Sequence, residues 1–384
     1  MTPENTLILR VRHRIEKVIH QDKDSGFAGA ILCIFSLIYK SAVSFRAFLY
    51  EKNILRSRSL PCFVISVGNI TAGGTGKTPM TLYLARLLQK SGYSVCILSR
   101  GYGGTSSKKG GIVSDGKVLC MTVGEVGDEP FMMARQLKNI PVVIGRNRYA
   151  AGMSAIEKFR PDIILLDDAY QHLKIRRNLN LLLSDCKKPF GNGHVLPRGP
   201  LREALSALKR ADAFIVTRCG ENPLPPDLKH MAGNRPVFRC SHQPRLHCME
   251  KAGRKEKGDI SELKDCRVFL FSGIARNEDF HHTAQALGCI IAGTGEFPDH
   301  HPYSDSDIAQ IRESAQKSAV QWIVTTEKDY MRMPDFPASP VFKDIPLAVI
   351  GIEIDFGKDS RMFQEFIRKA LPTVIALKKQ EVPN

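Results

Sequence analysis

The chain has 384 residues, 43% of them hydrophobic and 24% charged, the profile of an ordinary globular protein with a sizeable core and room for two domains. Its net charge of +16, from 55 Lys and Arg against 39 Asp and Glu, points to an acidic partner: nucleic acid, an anionic membrane surface or a phosphorylated substrate. Ten cysteines without a C-x-x-C pair exclude a disulfide scaffold or a zinc site and suggest a reduced cytosolic protein with buried thiols.

The opening segment, 7–20, reads as a basic helix with Arg10, Arg12, Arg14 and Lys17. The first apolar run, 26–39, comes late and lacks a small-residue cleavage site, so no secretory signal is expected. At fourteen residues it is too short to span a bilayer, which takes about 20. The helical pattern continues with Lys40, Arg46, Lys52, Arg56 and Arg58 beside Phe45, Phe48 and Leu49. Half apolar and half basic, this segment fits a helix lying in a membrane interface; the plainer alternative is a helix packed on the core.

From residue 60 strands and helices alternate. Strands are expected at 63–67, 95–98, 142–144, 163–166, 179–183 and 214–216, with helices at 79–90, 130–137 and 148–159. That alternation predicts a parallel sheet with helices on both faces. A hairpin is expected at 112–120 around Asp115-Gly116. Polar, proline-containing 219–262 reads as a linker or a short β connection. A second alternating unit follows, with strands at 267–271, 289–291, 322–325 and 347–354 and helices at 278–287, 304–318 and 361–371. The expected division is therefore 1–59 as N-terminal membrane-associated helices, 60–218 as a P-loop NTPase-type α/β domain with a mostly parallel sheet, 219–262 as a connection, and 263–384 as a second, smaller α/β domain.

Two stretches carry the chemistry. Residues 63–78, FVISVGNITAGGTGKT, place a Gly-rich turn between a strand and a helix. Backbone N–H groups of Thr71, Gly73, Gly74, Thr75 and Gly76 would curl round a polyphosphate, Lys77 would reach its β- and γ-phosphates, and Thr78 would put its hydroxyl on Mg²⁺. Thr71 stands where the usual pattern opens with Gly. The second stretch, IILLDD at 163–168, is an apolar strand ending in Asp167 and Asp168, where an open α/β sheet binds ligands and a P-loop fold delivers an Asp to Mg²⁺. Strand-end Asp also suits an ordinary turn. Asp128, in Gly127-Asp128-Glu129-Pro130, suits either a helix cap or a base for a hydroxyl nucleophile.

Taken together, SVGNITAGGTGKTP, LSRGYGG, VGDEP, DDAYQH, LPRGPLRE, FSGIA, FPDHHPY and TTEKD run in order from residue 66 to residue 329 and resemble the lipid A 4′-kinase, or tetraacyldisaccharide 4′-kinase, family. The family usually has DDGFQH where this chain has DDAYQH. The resemblance implies transfer of the γ-phosphoryl of ATP, with Mg²⁺, to the 4′-hydroxyl of a tetraacyldisaccharide 1-phosphate on the cytoplasmic face of the bacterial inner membrane. It implies Asp128 as base, His300 as its partner from the second domain, with adjacent His301 left open, and Glu129, Asp167 and Asp168 around Mg²⁺. Arg100, Tyr102, His172 and Arg202 are implied as phosphate or sugar contacts. The expected partners are this lipid and an anionic membrane surface, with neither nucleic acid nor an obligate protein partner expected. A membrane-associated P-loop ATPase without a sugar-lipid acceptor is the alternative; such an enzyme positions water and needs no Asp–His pair.

Overall fold

Apolar strands that carry no polar break fold here as buried parallel strands, and they set the frame for the loops at their ends. A computed structural model describes residues 26–371 apart from 221, 252–253, 257, 334–341 and 343; the basic helix expected over 7–20 lies outside the described residues. In chain order the main elements are α1 (Gly26–Glu51), β1 (Phe63–Asn69), α2 (Lys77–Lys90), β2 (Val95–Ser99), β3 (Gly111–Ser114), α3 (Asp128–Gln136), β4 (Val142–Ile144), α4 (Arg148–Phe159), β5 (Ile163–Asp167), β6 (Leu179–Asp185), β7 (Ala213–Thr217), β8 (Val237–Arg239), β9 (Ser241–Lys251) and β10 (Arg254–Glu256). After them come β11 (Arg267–Ser272), α5 (Asn277–Ala286), β12 (Ile290–Glu296), α6 (Asp305–Lys317), β13 (Trp322–Thr326), α7 (Glu327–Tyr330), β14 (Leu347–Asp355) and α8 (Ser360–Ala370).

Two compact units share the chain. One contains residues up to 99, then 147–241 and the chain from 355 onward; the other contains 100–146 and 242–354. Residues 100–146, expected with the phosphate-binding loop, thus cluster with the later α/β segment.

In the first unit the strands run β2-β5-β1-β6-β7-β8, all parallel, with Ile65 of β1 in register with Leu165 on one side and Leu179 on the other. All five residues of β5 are buried, as a strand covered on both faces requires. Ile70, Tyr170, Leu182, Phe214 and Val216 lie in one core cluster of this unit.

The apolar run at 26–39 and the basic pattern after it are one helix, α1, of 26 residues. From Gly29 to Glu51 it is long and apolar enough to cross a membrane by length and composition. Its polar stripe is nevertheless bonded to its own unit. Ser36 Oγ donates to Val195 O at 2.7 Å, Tyr39 Oη donates to Arg202 O at 3.0 Å, and Arg46 Nη1 donates to Gln171 O at 3.3 Å. Ile34, Phe35, Leu37, Ile38, Phe45 and Phe48 stay exposed.

In the second unit the strands run β10-β9-β14-β13-β11-β12, with β12, β11, β13 and β14 mutually parallel and β9–β10 antiparallel. Alternate residues of its central strands enter two cores: Phe269, Phe271, Ile323, Leu347 and Val349 one, and Val268, Leu270, Trp322, Val324 and Ala348 the other. The 219–262 segment is more ordered than a linker, since it contains the eleven-residue β9. The turn at Asp115 forms, its carboxylate accepting from Lys117 N and Val118 N at 2.8 Å each, but β3 finds its antiparallel partner in β4 instead of the arm after the turn. That arm reaches β3 only through a Ser114–Leu119 bridge.

Candidate active site

The phosphate-binding loop lies between β1 and α2. Gly73 and Gly76 take left-handed backbone at φ +101° and +82°, which is why glycine stands there. A Cβ on Gly73 or Gly74 would meet nothing within 4 Å, so neither glycine serves packing and the space over the loop is open. The loop is braced from behind. Asn69 Nδ2 donates to Thr75 Oγ1 at 2.8 Å, and Arg218 Nη2 donates to Gly74 O at 3.0 Å. Thr71, the residue in place of the opening glycine, pairs with Leu201 in an isolated bridge, while Ala72 N donates to Pro200 O at 2.6 Å. The LPRGPLRE segment thereby forms one wall of the loop and delivers Arg202, whose own N–H donates to Ile70 O.

The two aspartates diverge. Asp167 is buried and accepts from Thr81 Oγ1 at 2.9 Å. Asp168, in left-handed backbone at φ +45°, turns toward the loop: its carboxylate takes both oxygens to Arg202 Nη1, at 3.0 and 3.1 Å, and lies 3.8 Å from Lys77 Nζ. Burial alone would raise its pKa, but the Lys77 and Arg202 charges outweigh that and lower it. Thr78 is buried in the first turn of α2. A carboxylate, a threonine hydroxyl and a lysine at the mouth of an open glycine loop suit a Mg²⁺-polyphosphate, since Mg²⁺ takes few protein ligands and fills its octahedron with phosphate oxygens and water. Among the described residues no group of three or more His, Cys, Asp or Glu is gathered as a self-contained metal site. Gln171 Nε2 donates to Asn69 O at 2.8 Å, tying the DDAYQH turn to the loop strand. His172 follows it, pushed down to about 4 by burial with Arg148 and Arg177 adding to the effect. The Ala169-Tyr170 pair fills the core: both are buried, and Tyr170 Oη donates to Ala207 O at 2.7 Å.

The second unit gathers Asp128, His300, Tyr102 and Glu129. Asp128 is the first residue of α3, one position after Gly127, which occupies the N-cap. Its Oδ2 accepts from His300 Nδ1 at 3.1 Å and from Arg332 at 2.6 Å (Nη2) and 3.2 Å (Nε). Burial opposes the charge on Asp128, yet the His300 hydrogen bond with the Lys328 and Arg332 charges holds it well below the usual carboxylate range. An ionised carboxylate only accepts, so His300 Nδ1 is the protonated nitrogen. The Asp128 hydrogen bond raises the His300 pKa against the effect of burial. Glu129 accepts from Lys328 Nζ at 2.6 Å. Tyr102 is 70% exposed, its ring 6.2 Å from that of His300; Arg100 is exposed nearby in sequence, its carbonyl accepting from Ser107 Oγ at 3.0 Å.

Backbone contact brings LSRGYGG and VGDEP together. Gly127, at φ +85°, lies against the Tyr102 carbonyl where a Cβ would collide. His301 faces elsewhere: its Nε2 lies 3.1 Å from Asp307 Oδ2 at the start of α6, and its ring stacks on Phe297. Of the neighbouring histidines, His300 is therefore the one brought to Asp128. Unlike the expected arrangement, Asp128 and His300 belong to the same unit. Arg332 was missed; it lies three residues beyond TTEKD, and its only sequence signal was a basic residue shortly after that motif.

A family profile described as Tetraacyldisaccharide-1-P 4′-kinase (LpxK) matches residues 28–372. The chain is 41% identical over 373 residues to the tetraacyldisaccharide 4′-kinase of Desulfatibacillum aliphaticivorans, covering 94% of this chain and 98% of that one. It is 40% identical to the enzyme of the same name from Syntrophus aciditrophicus, covering 90% and 94%. Among solved structures, LpxK from Aquifex aeolicus in complex with ATP superposes with a TM-score of 0.71 at 32% identity, covering 90% of this chain and all of that one.

Proposed function

Since the chain belongs to the tetraacyldisaccharide-1-P 4′-kinase family, we infer that it transfers the γ-phosphoryl group of ATP to the 4′-hydroxyl of a tetraacyldisaccharide 1-phosphate, giving lipid IVA. The observation that carries this reading over a plain ATPase is the Asp128–His300 hydrogen bond of 3.1 Å. A hydroxyl acceptor needs a positioned proton acceptor, and this pair supplies one.

The roles divide by unit. The backbone of Thr71 to Gly76 cradles the phosphates, and Lys77 holds the transferring group. Thr78 and Asp168 would hold Mg²⁺, Asp167 orients the end of β5 through Thr81, and Glu129 is a further candidate for the ion. The bound ion would neutralise charge on the phosphate oxygens. Arg202 and His172 contact phosphate or sugar, as do Arg100 and Tyr102. Asp128 takes the proton of the 4′-hydroxyl, and His300 orients its carboxylate. Asp128 is a weak base, but a loose phosphoryl-transfer transition state asks more for alignment than for basicity. The exposed apolar face of α1 would rest on the cytoplasmic face of the bacterial inner membrane. The three hydrogen bonds from its polar stripe to the first unit favour a helix lying on the membrane over one crossing it.

The test is transfer of labelled γ-phosphate from Mg·ATP to detergent-dispersed tetraacyldisaccharide 1-phosphate. Label in the lipid, reduced at least 10³-fold in Lys77→Ala and Asp128→Ala, is the expected result. Phosphate release without lipid label would replace the kinase with the ATPase.

A further inference from the structure

Arg332 is 7% exposed, and its guanidinium makes four contacts that meet at the Asp128–His300 pair. Nε and Nη2 form a fork on Asp128 Oδ2 at 3.2 and 2.6 Å. Nη1 donates to Gly273 O at 3.0 Å and lies 3.3 Å from Asp329 Oδ1. Gly273 O is also the acceptor for the His300 backbone N–H, at 3.1 Å. One side chain therefore touches the carboxylate directly and the turn that carries the histidine through a single shared carbonyl.

That turn needs holding. His300 has left-handed backbone at φ +62°, which a non-glycine residue keeps only where its surroundings fix it. Gly273 is part of the fixing: a Cβ there would come within 2.9 Å of Pro298 O and 3.2 Å of His301 Cβ. Asp329, fully buried, anchors the far side, accepting from Gly273 N at 2.8 Å and from Tyr303 Oη at 2.9 Å. His300 and the Arg332 fork both converge on Oδ2 of Asp128, which leaves Oδ1 as the oxygen for the substrate hydroxyl.

We propose that Arg332 is a positioning residue for phosphoryl transfer, fixing the Asp128 carboxylate and the His300 turn in one geometry so that Oδ1 meets the acceptor hydroxyl. The proposal rests on Asp128 acting as the base. A planar fork is required, because a lysine ammonium cannot grip Oδ2 twice while also reaching Gly273 O.

The experiment measures kcat and both KM values for Arg332→Gln, Arg332→Lys, Asp128→Asn and the Asp128→Asn/Arg332→Gln double variant. Arg332→Gln is expected to lower kcat about 30–100-fold with both KM values within about threefold, since misplacement of a reacting group by about 1 Å costs on that order. Arg332→Lys should recover part of the loss. In the Asp128→Asn background the same substitution should change kcat by less than about threefold, because two residues acting through one step are not additive. Wild-type kcat in Arg332→Gln, or its full loss repeated on top of Asp128→Asn, overturns the proposal. Should Arg332→Gln fail to fold, Arg332→Lys carries the test: about tenfold lower kcat supports it and unchanged kcat overturns it. Near wild-type turnover in Asp128→Asn alone would instead bring down the base assignment, a result separate from any seen at Arg332.

Discussion

His172 is neutral in the folded chain because burial and the cations Arg148 and Arg177 disfavour its protonated form, pushing it from 6.5 down to about 4. The sign follows from linkage. Above pH 6.5 neither folded nor unfolded ring is protonated and stability is full; between 6.5 and about 4 the unfolded ring takes up a proton first, so stability falls as pH falls. The upper limit is about 3.5 kcal/mol, at about 1.4 kcal/mol per pH unit. His172→Gln should flatten the decline of the unfolding midpoint over that window in urea titrations; an unchanged slope would show that other groups set it. Gly127 gives a backbone counterpart. Its φ of +85° and the Tyr102 carbonyl beside it leave no place for a Cβ, so Gly127→Ala should cost on the order of 2–3 kcal/mol and lower kcat by displacing the start of α3. Lys77, Asp168 and Asp128 could be singled out as candidates from sequence because each stands in a short motif whose chemistry is local. Arg332 was not, because its meaning comes from contact with a residue 204 positions away.

Among the elements, α1 joins two surfaces. Its apolar face is exposed, while Ser36 and Tyr39 hold the wall of the phosphate-binding loop, Tyr39 through the carbonyl of Arg202. Substitutions on the two faces should separate. Ser36→Ala with Tyr39→Phe removes three hydrogen bonds of about 1 kcal/mol each, two at Ser36 Oγ (donated to Val195 O, accepted from Arg198 N) and one at Tyr39 Oη, and is expected to lower kcat on detergent-dispersed lipid several-fold without changing flotation with vesicles. Ile34→Asn with Leu37→Asn should do the reverse. Loss of flotation from the first pair would mean that the stripe, not the apolar face, meets the membrane. Most of the parallel strands were readable from sequence to within a residue or two because strands buried on both faces carry unbroken apolar runs; β12, expected at 289–291, runs on to Glu296 because its second half, Ala292 to Glu296, is small, polar and partly exposed and carries no such run. β9 was not readable: its Ser-His-Gln-Pro-Arg opening is polar, and only four of its eleven residues, Leu246, His247, Cys248 and Met249, lie between charged neighbours as a strand-like run. Its place beside β14 compensates for weak local propensity.

At the scale of the whole molecule, contiguous sequence cannot reveal that 100–146 clusters with 242–354, because that grouping rests on long-range contacts and not on any local pattern. Net charge is different: it is additive, so it is legible without a fold. A charge of +16 would attract the chain to anionic lipid at about 1 kcal/mol for each Lys or Arg near the surface, an attraction that fades beyond a Debye length of about 10 Å at 0.1 M salt. The basic residues that follow the exposed face of α1, Lys52, Arg56 and Arg58, concentrate part of this charge beside the apolar contact. Two forces of different salt dependence should therefore hold the protein on a membrane. Co-sedimentation with vesicles rich in anionic lipid is expected to weaken by more than about tenfold between 0.05 and 0.5 M salt. A salt-independent remainder should persist and disappear in the Ile34→Asn/Leu37→Asn variant. Equal binding to neutral and anionic vesicles at low salt would remove electrostatics from the account and leave the apolar face of α1 to act alone.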